Sequence, residues 1–212
     1  MNRASDMVRR PLFCTFSAQF FTPEFFDHIK NHRQGFKTSF SVIKSNRQVA
    51  SYGGGQILNL TYKKATIEDI DVLTETRIEV LRAANKLSDD IDMSEVEKQS
   101  YDYYKEALCD GTHIAYLVFD EDCFVGTGGV SFFRVMPTYH NPSGKKAYIM
   151  NMYTHPDYRR MGIAYKTLDM LVSDTKCKGI TSISLEATTM GRPLYEKYGF
   201  VKMNDEMELP EQ

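Results

Sequence analysis

The 212-residue chain is 42% apolar and 25% charged, with a formal net charge of −2, the composition of an ordinary soluble globular protein. Near-neutral charge gives no broad attraction for nucleic acid, and no apolar run reaches membrane-spanning length. The N-terminal "MNRASDMVRRPLFCTF" carries arginines but no sustained apolar core, so it does not read as a signal peptide, and a cytoplasmic protein without membrane or nucleic-acid partners is expected.

Residues 1–57 are expected to be an N-terminal extension of marginal order. They show no long period and end in "SYGGGQ", whose three glycines suit a flexible joint. One short helix is expected here, with Thr22 as its cap and Pro23 at its first position. A competing expectation is that the stretch is not native to the protein, since Leu58 or Leu60 could stand at an alternative start codon. From Leu58 onward the pattern is regular. "NLTYKKA" reads as a short strand. Thr66 then caps a helix with Asp69 in its first turn and an apolar stripe of Ile70, Leu73, Ile78 and Leu81. Ser94, with Glu97 three residues on, predicts a capping box opening a second helix.

"HIAYLVFD" and "CFVGTGGVSFFRV" are β-rich runs joined at Glu121–Asp122, a hairpin. The glycines of "GTGGVS" miss the dinucleotide-loop spacing and lie inside a strand pattern, so they mark a bulge or a close backbone approach. "MPTYHNPSGKK" is a loop and "AYIMNMYTH" a strand. "AYKTLDMLVSDTKCKG" is a helix with Ala164, Leu168, Leu171 and Val172 on one face and Gly179 as its stop. "ITSISLEA" alternates as a strand. "RPLYEKY" is a short helix ending at Gly199, and "FVKMNDEMEL" is expected to close the chain as a strand pair. Cys14, Cys109, Cys123 and Cys177 are dispersed and fit reduced thiols. The five histidines have no zinc spacing, and no serine lies in a nucleophile elbow.

The stretch "THPDYRRMGIAYKTLDMLV" runs from a strand end into a helix, with two arginines and one glycine at the junction. A helix N-terminus exposes unpaired N–H groups and carries about half a unit of positive charge. A tight turn before it makes those groups converge on an anion. Gly162 leaves no Cβ between amides and ligand, and Arg159 and Arg160 add attraction for phosphate. The same residues also read as an eased turn flanked by solvated arginines.

The order of elements makes the pattern specific. Arg159, Gly162 and Ala164 match the Arg/Gln-x-x-Gly-x-Gly/Ala signature of the GNAT superfamily of N-acetyltransferases. With the preceding "YTHPDYR" and the late "GRPLYEKYGF", the chain resembles that family from Leu60 to Leu209. Arg160 departs from it, standing where glycine is frequent. The resemblance implies an α/β (α+β) fold with a mixed, mostly antiparallel central sheet of about seven strands and about four helices, splayed at the cofactor site. It implies an acetyltransferase domain over residues 58–212 that uses acetyl-CoA as cosubstrate and no metal. The pyrophosphate would lie on the amides of Arg159, Arg160, Met161, Gly162, Ile163 and Ala164. The pantetheine arm would pair with the backbone of Met152, Tyr153 and Thr154.

Acetyl transfer to an amine needs few side chains. Deprotonating a lysine-like amine at pH 7 costs about 4.6 kcal/mol, against about 2 kcal/mol for an ordinary thiol, so the amine proton is the harder problem. By resemblance Tyr195 is the candidate general acid, since a phenol stays protonated at neutral pH; a packed tyrosine is the alternative, and Tyr198 fits packing better. Glu186, at the polar end of a strand, is the candidate base, acting directly or through water; a solvated or paired glutamate is the alternative. A backbone N–H near Met152 could serve as the oxyanion donor. Asn151 could orient substrate, His155 reads as peripheral, and Arg77 or Arg82 could contact a carboxylate. Acceptor groups are expected from the first two helices and the "MPTYHNPSG" loop, and the acidic "SDDIDMSE" could attract a cationic amine. The expected acceptor is a primary amine of a small molecule, attacked directly in a ternary complex. The alternatives are a protein or aminoacyl-RNA amine and a catalytically silent acyl-coenzyme A-binding module. A homodimer is compatible with all of these.

Overall fold

The computed structural model describes residues 58–204, 206, 207 and 209; the expected 1–57 extension and its Thr22-capped helix lie outside them. Five strands form one sheet in chain order, β1 (Leu60–Lys64), β2 (His113–Asp120), β3 (Cys123–Arg134), β4 (Lys145–Thr154) and β5 (Ser182–Leu185). The first four are antiparallel neighbours, and β5 runs parallel to β4. Four α-helices complete the architecture: α1 (Ile70–Asn85), α2 (Ser94–Asp110), α3 (Ile163–Cys177) and α4 (Arg192–Tyr198). Helix α3 is the crossover that a parallel β4–β5 pair requires. The mixed, mostly antiparallel fold is the expected one, with five strands among the described residues rather than about seven. The described part of "FVKMNDEMEL" forms no strand pair, and Val201, Met207 and Leu209 are exposed.

Local chemistry explains most boundaries. The Asp69 carboxylate accepts from both the Thr66 N–H and its hydroxyl, closing a short 3-10 turn over Ile67–Asp69 before α1 begins. The predicted capping box on Ser94 is not the one used. Asp92 Oδ1 accepts from the Ser94 N–H at 2.9 Å, so the cap lies upstream and Ser94 is the first helical residue. Helix α1 also buries a different stripe: Leu73, Thr76 and Val80 are buried whereas Ile78 and Leu81 are half-buried. The Thr76 hydroxyl satisfies itself on the Leu73 carbonyl, so a polar residue takes a core position and rotates the buried face. Gly111, Gly179 and Gly199 take the positive φ that follows α2, α3 and α4.

The sheet separates two packing layers. On one face, Ile114, Tyr116, Val130, Ala147 and Ile149 pack against Leu168, Leu171 and Val172 of α3 and Tyr195 of α4. On the other, α2 contacts β2 and α1 contacts β4. His113, at the start of β2, is buried there with Nδ1 3.0 Å from the Tyr103 hydroxyl and 3.1 Å from Ser131 Oγ. Its ring lies edge-on to those of Tyr103 and Tyr104. Burial, reinforced by the Arg77 cation, pushes its pKa down to about 4. Cys109, Cys123 and Cys177 are free, and no helix among the described residues is long and apolar enough to cross a membrane.

A folded state that refuses a proton until about pH 4, when the unfolded chain accepts one near the ordinary 6.5, loses stability as pH falls through that window. The contribution is intact above pH 6.5. His113→Phe is expected to show a smaller loss of urea stability between pH 6.5 and 4 than the wild type; identical pH slopes would remove His113 as the cause.

Candidate active site

The strands part at β4. Its pairing with β5 runs from Lys146↔Ser182 to Ile149↔Leu185 and stops there, while β4 continues to Thr154. Just beyond the last pair, the β3–β4 register shifts: Gly129 faces Met150 and Thr127 faces Tyr153, so Asn151 and Met152 together oppose Gly128. This is a β-bulge, and Asn151 carries it with φ +55. A bulge turns two neighbours to one side. Met150 and Asn151 both line the cavity on the α1–α2 face, and Met152 packs toward α3.

The glycines of β3 make this possible. A Cβ on Gly128 would come within 2.5 Å of Met152 Sδ and 2.8 Å of Thr167 Cγ2, and one on Gly126 within 2.9 Å of the Tyr153 carbonyl oxygen. The expected close approach is therefore real, and it lets α3 lie directly on the bulge. Tyr153 anchors the strand from the other face. Its ring stacks on Phe124 at 6.2 Å and its hydroxyl donates to Glu79 at 3.3 Å. Burial and the Glu79 carboxylate push its pKa up to about 12. Only the Tyr153 backbone thus faces the opening between the strands. The Thr154 hydroxyl oxygen is buried without a hydrogen-bond partner among the described residues, an atom that a ligand lying along β4 could satisfy.

Beyond β4, the Arg159 Nε donates to the Thr154 carbonyl at 3.3 Å, folding the loop back onto the strand. Arg160 takes φ +65 and Gly162 φ +82. The left-handed backbone at Arg160 explains why glycine is favoured at that place: an L-residue there carries roughly 1–2 kcal/mol of strain. Gly162 is the N-cap of α3, with no side-chain cap and no acid in the first turn. A Cβ built on Gly162 meets nothing within 4 Å, so the turn is open on the side a side chain there would occupy. Met161 is exposed, Ile163 buried and Ala164 half-buried. An uncapped helix start with two flanking arginines is what an anion needs.

The candidate acid lies in the core cluster on the α3 face, and the candidate base directly follows β5. Tyr195 is buried in the cluster that holds Ile149, with Met152 packed against it. Burial raises its pKa above the ordinary phenol value. Glu186 follows β5, is exposed and accepts from the Tyr148 hydroxyl, whose own pKa is pushed to about 12 by burial and by that carboxylate. Tyr198 donates to Asp169 at 2.8 Å, bracing α4 on α3. His155 caps the turn over Pro156–Tyr158, accepting from the Asp157 N–H at 3.4 Å. Of the two candidate arginines, Arg82 is engaged by the α1–α2 loop through the carbonyls of Ser88 and Ile91. Arg77 instead reaches Asn151 Oδ1 at 3.0 Å. The His113–Tyr103–Ser131 cluster is not foreseeable from the sequence, because its members come from three elements with no shared motif. Among the described residues no group of His, Cys, Asp and Glu gathers as a metal site.

With this geometry in view, the likenesses are informative. The model of the acetyltransferase (GNAT) family matches residues 81–200, more than half of the chain, and the protein belongs to that family. It is by class an acyltransferase. The fold is similar to a predicted acetyltransferase with acetyl-CoA from Clostridium acetobutylicum, at 34% identity and TM-score 0.65, covering 71% of this chain and 96% of that one. It is also similar to a GCN5-related N-acetyltransferase from Ralstonia eutropha JMP134, at 24% identity and TM-score 0.63, over 72% and 98% of the two chains. Glucosamine-6-phosphate N-acetyltransferase from Arabidopsis thaliana shares the fold at 16% identity and TM-score 0.54, over 72% and 98%. No curated protein matches the sequence.

Because Gly128 underlies the bulge, Gly128→Ala should force Met152 and α3 away from β3. A loss of about 1–3 kcal/mol in urea unfolding is expected for such overpacking; a variant as stable as the wild type would show that the contact yields freely.

Proposed function

We propose that residues 58–212 form an N-acetyltransferase that moves the acetyl group of acetyl-CoA to the primary amine of a small molecule, by direct attack in a ternary complex. The observation that carries this reading is a coincidence of place. The opening between β4 and β5 lies directly before an uncapped helix start whose glycine leaves the amides bare. Acetyl-CoA fits that pair of features and, when bound, supplies an acetyl group activated as a thioester. Its pyrophosphate would be held by the amides from Arg160 to Ala164, since the Arg159 N–H already donates to the Pro156 carbonyl at 3.3 Å, with the Arg159 and Arg160 side chains adding charge. Its pantetheine arm would lie along the Met152–Thr154 backbone, within reach of the orphaned Thr154 hydroxyl.

In this reading the chain's own residues do three things. A backbone N–H of the bulge near Met152 donates to the carbonyl oxygen as charge builds there. Tyr195 holds a proton for the departing sulfur; its burial in the cluster against which Met152 packs, and its raised pKa, keep the phenol protonated through the physiological range. Glu186, steadied by Tyr148 at the end of β5, accepts the amine proton directly or through water. The acetyl group passes from sulfur to nitrogen as the C–S bond breaks and the C–N bond forms.

Two substitutions test the reading. Tyr195→Phe is expected to lower turnover about a hundredfold with coenzyme A affinity nearly unchanged; equal turnover would reduce Tyr195 to packing. Gly162→Glu places a carboxylate at the helix start where no neighbour obstructs it, at about 1–2 kcal/mol of left-handed backbone strain, and calorimetry should show coenzyme A affinity reduced by about a hundredfold or more with the fold retained by circular dichroism. Unaltered affinity would remove the anion cradle.

A further inference from the structure

The cavity between the α1–α2 pair and the sheet has a volume of about 650 Å³ and ends at the bulge. Its walls are largely aromatic and apolar, including Tyr103, Tyr104, Phe132, Phe133 and Met150. Arg77 and Glu95 are its charged lining residues. Glu95 is exposed in the first turn of α2, whereas Arg77 is half-buried at the inner end. His113 lies behind Tyr103, and its pKa near 4 keeps it neutral at physiological pH. The inner end of the cavity therefore carries one cation.

Among the described residues no carboxylate pairs with Arg77; its bond is to the neutral Asn151 amide at 3.0 Å. A guanidinium has five N–H donors in a fixed fork suited to a carboxylate, and a partly desolvated charge without a partner is costly. We propose that the acceptor is a free α-amino acid with an apolar, aromatic side chain, its carboxylate held by Arg77 and its side chain lying in the aromatic cavity. This deepens the acetyl-transfer reading and rests on it.

The class follows from where Arg77 points. Asn151 adjoins Met152 at the parting of the strands, the place the amine must reach. An acid held beside that point is only two bonds from the nitrogen-bearing carbon's own nitrogen in an α-amino acid, and the remaining group projects back between α2 and β3. An amine with a remote acid would need Arg77 at the far end of the cavity, and a peptide N-terminus has no carboxylate to offer there. The reaction balances simply: the ammonium form loses two protons as its nitrogen takes the acetyl group, one proton ending on the thiol and one in solvent.

Thiol release from acetyl-CoA should be compared for L-phenylalanine, phenylalanine amide and phenethylamine. The amide's amine is at least as easily deprotonated as that of phenylalanine, so basicity alone would favour it. A site built to bond an acid rejects analogues lacking one, and phenylalanine is expected to exceed both by at least about a hundredfold in kcat/KM. Arg77→Gln should bring phenylalanine down to the level of phenethylamine, with coenzyme A affinity unchanged as evidence of an intact fold. Equal use of phenethylamine and phenylalanine by the wild type overturns the proposal and leaves acetyl transfer standing. So does release with spermidine but with none of the three. Absence of release with every amine overturns both.

Discussion

The backbone bulge at Asn151 is the constraint on which the site depends. A strand hydrogen-bonded on both edges has nothing left to offer a ligand, since its N–H and C=O groups are already matched. By placing two residues opposite Gly128, β4 changes direction just after Ile149, and its partnership with β5 ends there. One irregularity thereby frees a strand edge, turns Asn151 toward Arg77 and leaves Met152 facing α3. The missing Cβ of Gly128 is the local condition for it, because Met152 Sδ and Thr167 fill that space.

The sheet also divides the electrostatics. On the α3 side, a helix start without an acid, flanked by Arg159 and Arg160, gathers positive potential near the opening. On the α1–α2 side, polar side chains are kept neutral or engaged with one another. Tyr103, Ser131 and His113 share hydrogen bonds, burial pushes Tyr104 up to about 12, and Arg77 stands out as the cation at the inner end. A two-layer fold can thus keep a positively charged surface and a largely apolar one on the two sides of a single strand.

The elements themselves were largely legible in the chain. Strands with β-rich runs, the β2–β3 hairpin, and helices α3 and α4 with their glycine stops lie where periodicity and turn chemistry place them. The disagreements share a cause. Thr76 takes a core position by bonding its own helix, which a polarity pattern scores as exposed. Ser94 becomes the first helical residue rather than the cap: Met93 takes the cap position, and Asp92, one residue further upstream, accepts the Ser94 N–H. The chain's end has an alternating pattern, yet its described residues find no strand partner. Arg82 and Arg77 look equivalent in sequence; one is spent on the α1–α2 loop and the other reaches across to β4.

By itself the sequence determined the order of elements and the composition of the α3 turn, because both are local: periodicity, a glycine able to take positive φ, and the absence of acids in a first helical turn. The meeting of Arg77 with Asn151, of Tyr195 with the Met152 region, and of His113 with Tyr103 and Ser131 was decided only in three dimensions. Those pairs join residues from different elements, and for Arg77 and Asn151 the encounter depends on strand register and on one inserted residue at a bulge. A shift of one position would send each β4 side chain to the opposite face of the sheet.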